Sequence, residues 1–152
     1  MKSFSLLRLL VAVALFAGLT GCATSPKSVA PAGVVTAELI STSQSWDGAE
    51  LPDYPSGRPE LVAVRYEFPA GQKLGWHHHP VMNYGVLQQG ELTIIGLDGK
   101  EKVVHEGEAV VEMVDTIHHG ENRGDKTVIL DMFYISQSGR PLAVQHPEIP
   151  LD

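Results

Sequence analysis

After residue 60 the chain alternates apolar and polar residues in short runs broken by turn residues. Residues 61–68 set Leu61, Ala63, Arg65 and Glu67 against Val62, Val64, Tyr66 and Phe68, so the even positions form the apolar face of a strand. Residues 91–96 form a further strand, Asp98-Gly99 is a hairpin turn signal, and residues 102–105 return. Residues 109–113 and 127–135 complete the pattern, the latter as the most strongly β-prone run of the chain. A weaker alternation at Val35, Ala37 and Leu39 predicts a first strand over 36–43. Residues 46–59 carry three prolines and two glycines and read as a long connection. Residues 115–120 and 122–126 read as turns, and Gly139 onward, with Pro141, Pro147 and Pro150, reads as a tail. About eight short strands at regular spacing, with no helical period after residue 20, predict an all-β sandwich or jelly-roll barrel.

The stretch 71–90 holds His77, His78 and His79 between strand-like ends, with a bend at Pro80. Alternation along an extended segment puts His77 and His79 on one face and His78 on the other. Cα atoms two residues apart on a strand stand about 6–7 Å apart, a gap that two imidazoles can close onto one ion. Alone, the run reads equally as a polar loop or as two ligands, and a third ligand elsewhere must decide.

The N-terminus changes the setting. Lys2 and Arg8 precede and interrupt an apolar run from Leu6 to Leu19, too short for a comfortable membrane span and fitting a signal peptide. Leu19-Thr20-Gly21-Cys22 follows and resembles the bacterial lipobox, in which the cysteine is lipidated and becomes the new first residue. Ala23, rather than aspartate, follows Cys22, which by that resemblance implies the periplasmic face of the outer membrane. The predicted organisation is a signal peptide over 1–21, a lipidated cysteine and flexible tether over 22–35, a domain over 36–140 and a tail over 141–152. Cys22 is the single cysteine, so no disulfide can form within the chain. The net charge of −7 becomes −9 once Lys2 and Arg8 leave with the leader, and no basic cluster remains. That argues against a nucleic-acid partner.

Two spaced motifs run through the domain. Gly71 is followed by His77 and His79, then Asn83, then Gly90; Gly107 is followed by Met113, Asp115, His118 and Asn122. These spacings resemble the two motifs of the cupin superfamily, over about residues 61–135, in a small quercetinase-like single-domain type. The resemblance implies a cupin double-stranded β-helix, or jelly-roll barrel. It also implies one divalent transition metal (Fe, Mn, Ni, Zn or Cu) on His77, His79 and His118. Three identities depart from the pattern: Asn83 stands where the family has a glutamate ligand, Met113 replaces a proline and Asp115 a glycine. Asn83 offers only a neutral amide oxygen, so it is a weaker candidate fourth ligand. Alternation turns Asn83 inward together with Gly85, whose missing side chain would leave an opening near the ion. His119 should face away from His118, and His78, His105 and His146 match no motif position.

Glu112 is a further departure. If Val110 and Glu112 share the inward register, a carboxylate enters the barrel as a general base or as a partner to a metal-bound histidine. If the register shifts, Glu112 lies in solvent. Two function classes follow. One is a metal-dependent, dioxygenase-like enzyme acting on a small phenolic or anionic substrate, favoured by an inward Glu112. The other is a non-catalytic lipoprotein that binds a metal or a small molecule, favoured by the loss of the glutamate. The resemblance also implies a homodimer through sheet edges, with the membrane reached through the lipid anchor only.

Overall fold

The structure, a computed structural model, describes residues 33–151. The signal-peptide, lipobox and Cys22 expectations lie outside those residues. The chain divides into two units, Met1–Thr36 and Ala37–Asp152. Of the first, residues 33–36 are described; they are exposed and without strand or helix. The second holds nine strands: β1 (Pro59–Phe68), β2 (His77–His78), β3 (Met82–Gln89), β4 (Glu91–Gly96), β5 (Glu101–His105), β6 (Ala109–Val111), β7 (His118–Glu121), β8 (Val128–Gln137) and β9 (Val144–Gln145). They form a four-stranded sheet, β1-β8-β3-β6, and a five-stranded sheet, β5-β4-β7-β2-β9. Every strand pairing is antiparallel.

The alternation seen in the sequence places the core. Strand β1 pairs with β8 along its whole length, from Pro59↔Gln137 to Phe68↔Val128. Its even residues from Val62 to Phe68 turn inward, and Glu60 and Leu61 stay exposed. On β8 the inward set is Val128, Leu130, Met132, Tyr134 and Ser136. All but Ser136 meet Leu92 and Ile94 of β4 and Val104 of β5 in one buried apolar cluster. Asn122 fastens the turn after β7: its buried amide donates to the carbonyls of Phe68, Pro69 and Lys126, and its Oδ1 accepts from Gly124 N–H.

Four local expectations change. Residues 37–43 form no strand; a strand needs a neighbour, and here a single bridge, Gln44↔Glu50, closes the segment. His118 and His119 lie on strand β7 rather than in a turn. The C-terminal segment read as tail carries β9, which pairs with β2. Gly85 faces inward but leaves no opening, because the Met132 and Leu130 side chains fill the space beside it.

Asp115 explains one motif departure. Its φ of 53° lies in the left-handed region, where the motif's glycine is at ease and aspartate is among the better-tolerated alternatives. Its N–H donates to the His79 carbonyl at 2.9 Å, tying the loop after β6 to the histidine segment.

Candidate metal centre

Two short strands bring the histidines together. His77 on β2 stands directly across from His118 on β7, and His79 follows β2 on the same face as His77. Ring centroids lie 4.9 Å apart for His77–His79, 4.7 Å for His77–His118 and 5.2 Å for His79–His118. One ring nitrogen from each can be chosen so that all three lie within 4.8 Å of one another, an arrangement that could hold a metal ion. All three side chains are buried. His78 takes the opposite face, where its Nδ1 lies 2.8 Å from His146 Nε2, and His146 Nδ1 lies 2.9 Å from Glu148. His119 also leaves the cluster and packs edge-on against Trp76 at 4.3 Å.

The backbone sets the tautomers. Each Nδ1 faces a carbonyl: His77 that of Gly75 at 2.8 Å, His79 that of Leu142 at 2.8 Å, His118 that of Thr116 at 2.7 Å. A carbonyl only accepts, so each Nδ1 carries the proton. In the neutral rings each Nε2 then keeps a lone pair. Metal-ligating histidines are commonly oriented this way by their second nitrogen. Burial, the largest influence on His77, pushes its pKa down to about 4, so this imidazole is neutral at pH 7. The Nε2 of His118 is buried without a hydrogen-bond partner.

Glu112 points inward, just past β6, and is 7 % exposed. Its Oε2 lies 2.9 Å from His79 Nε2 and 3.7 Å from His118 Nε2, the second an electrostatic contact too long for a hydrogen bond. Burial raises the Glu112 pKa, but the contacts with His118 and His79 together outweigh it and hold the carboxyl well below the usual range. For His118 burial lowers the pKa, and Glu112 more than reverses this, leaving it raised.

Asn83 is not in the cluster. It is fully buried on the inward face of β3, and neither its amide oxygen nor its nitrogen has a hydrogen-bond partner. The register of β3 against β6 runs Val86↔Ala109, Gly85↔Val110, Tyr84↔Val111. Continued by one residue, it sets Asn83 opposite Glu112. The carboxylate absent from one strand is thus present at the facing position of the next.

A chamber of about 90 Å³ opens beside the cluster, lined by His77, His79, Glu112, Tyr66, Tyr134 and apolar side chains. Two of its features have no sequence signature. The Tyr66 and Tyr134 hydroxyls share a hydrogen bond of 3.0 Å. Ala143 and Gln145, beside and on β9, form part of the wall.

Residues 64–135 match the family model described as "Cupin domain". With the two facing antiparallel sheets, that match decides the architecture. The fold is a cupin double-stranded β-helix. The family match spans just under half of the chain. A double-stranded β-helix protein from Klebsiella pneumoniae superposes with a TM-score of 0.50 at 19% identity, over 60% of this chain and 87% of that one. A cupin domain from Bordetella pertussis gives 0.46 at 19% identity, over 57% of this chain and 99% of that one. A search of curated proteins gave no match. At these identities the likeness is one of fold.

Proposed function

We propose that this cupin is a metalloprotein of the bacterial envelope in which His77, His79, His118 and Glu112 hold one divalent transition ion. The carrying observation is the fixed tautomer set: three backbone carbonyls take the Nδ1 protons, and one buried carboxylate stands at the Nε2 side. Glu112, not Asn83, supplies the negative charge that a divalent ion needs in a dry interior. Iron, manganese, nickel, zinc and copper all suit imidazole and carboxylate donors. Imidazole binds an ion through its unprotonated nitrogen, so metal affinity should fall as pH falls.

Such an ion supplies Lewis-acid polarisation or, if redox-active, dioxygen activation. The chain's own residues orient the imidazoles, balance charge and exclude water. The chamber fixes the scale of the ligand. At about 90 Å³ the chamber is smaller than an engineered cavity of about 150 Å³ that takes a benzene, which favours a compact ligand. The enzyme reading is dioxygenase-like action on a small phenolic or anionic substrate, with the small anion fitting the chamber more readily. The lipobox reading of Cys22 places the domain on a lipid anchor at the periplasmic side of the outer membrane. A second reading, a non-catalytic holder of a metal or small anion, is favoured by the same tight chamber.

Elemental analysis of the full chain, purified in detergent, tests the metal. About one transition ion per chain is expected, and little in His77→Ala or His118→Ala. A metal-free parent after growth and refolding with each candidate ion would refute the proposal. Oxygen uptake on a panel of small anions then separates enzyme from holder.

A further inference from the structure

The chamber's lining names a ligand class. It joins His77, His79 and Glu112 to the Tyr66–Tyr134 hydroxyl pair, with the Tyr134 ring 5.5 Å from that of His79. Phe68, Leu92, Leu130 and Met132 supply apolar wall. Two hydroxyls that share one hydrogen bond use one of their two protons. Neither has another hydrogen-bond partner among the described residues, so one phenolic proton remains for a ligand. A ligand that answers this pair must present an acceptor.

Charge gives the sign. Among the described residues no lysine or arginine lines the chamber, and Glu112 is its one carboxylate. A divalent ion on Glu112 leaves one positive charge in an interior that disfavours uncompensated charge. A monoanion balances it. Volume favours a compact ligand: the space of about 90 Å³ is well below the volume, about 150 Å³, of an engineered cavity that takes a benzene. A carboxylate has one oxygen for a Lewis acid and one for a hydroxyl donor, and a short alkyl tail suits the walls.

We propose that the chamber binds a short-chain carboxylate, of the size of acetate to propionate, with the Tyr66–Tyr134 hydroxyl pair as its hydrogen-bond anchor. The inference rests on the metal reading above and adds the ligand and its specificity residues.

The test uses the full chain loaded with cobalt(II), whose visible spectrum reports its ligands. Formate, acetate, propionate, butyrate and benzoate are titrated in turn. Acetate and propionate should shift the spectrum saturably, with benzoate at least tenfold weaker. The double variant Tyr66→Phe with Tyr134→Phe, which leaves no phenolic proton, should weaken acetate about tenfold, the loss of one hydrogen bond of about 1.4 kcal/mol, while cobalt stoichiometry holds. Either single variant keeps one phenolic proton and should lose less. Cobalt bound with no size preference, or with acetate affinity unchanged in the double tyrosine variant, overturns this inference alone. A chain that binds no cobalt overturns the metal reading on which it rests.

Discussion

Replacing Glu112 with glutamine keeps the shape of the chamber and removes its negative charge. Attraction between a carboxylate oxygen and a divalent ion at ligand distance, about 2 Å, is on the order of 17 kcal/mol at an effective dielectric near 20. Much of that is offset by stripping water from both partners. Substitutions around metal ligands commonly reduce affinity by about 10–100-fold, or about 1.4–2.8 kcal/mol, and we expect a loss at the upper end of that range. The metal-free protein should respond differently. It loses a charged contact to His79 at 2.9 Å, of about 1.5–3 kcal/mol, but no longer buries a charge, so its stability should change by less than about 2 kcal/mol. The assay is competition against a chromophoric zinc or cobalt chelator, with melting curves of the metal-free proteins alongside. Glu112→Gln combined with Asn83→Glu moves the carboxylate to the facing strand and should recover at least tenfold in affinity. Unchanged or improved affinity in Glu112→Gln would refute the reasoning, since Glu112 would then only neutralise the histidines.

Further consequences follow from the same geometry. Truncation after Arg140 removes the Leu142 carbonyl that holds His79 and the chamber wall at Ala143 and Gln145, so metal affinity should fall at least tenfold; His146→Ala, which removes the ring contact to His78 but leaves the backbone pairing of β9 with β2, should show a smaller loss in the same competition assay. Because the folded His77 titrates near 4 against an ordinary 6.5, the unfolded chain binds the extra proton between those values, and His77 destabilises the metal-free protein as pH falls from 6.5 towards 4. The raised His118 works oppositely, so the readout is the melting-temperature difference between wild type and His77→Gln across that window, which should change in favour of the variant as pH falls. Gly85→Ala would overlap the Met132 sulfur and should destabilise by about 1–3 kcal/mol in urea unfolding. Asn122→Ala leaves up to three carbonyls short of a donor and should cost about 2–3 kcal/mol in the same measurement.

The fold was legible because its signals are local. Period-two alternation at Val62–Phe68 and at Val128–Ser136 marks which face is buried, and turn residues mark where strands end. The spacing of His77, His79 and His118 was legible as a motif, since a strand fixes the His-X-His geometry and the glycine spacing fixes the turns. Glu112 could be raised as an inward carboxylate but not settled, because one residue of register decides its face. The Nδ1 acceptors could not be read at all. A backbone carbonyl such as that of Leu142 leaves no trace in side-chain identity. The same holds for β9, whose two residues pair with β2 only because the fold returns the C-terminus there. Residues 37–43 failed the other way: their alternation is real, but alternation without a neighbouring strand does not make a sheet.

The central claim is that Glu112 replaces the carboxylate missing at Asn83 and joins three histidines on one ion. Anomalous diffraction from a crystal of the metal-loaded chain tests it most directly. One peak should lie among the Nε2 atoms of His77, His79 and His118, with a Glu112 oxygen at ligand distance and the Asn83 amide outside it. A peak at another site, or one with Glu112 still bonded to His79 and away from the ion, would contradict the account.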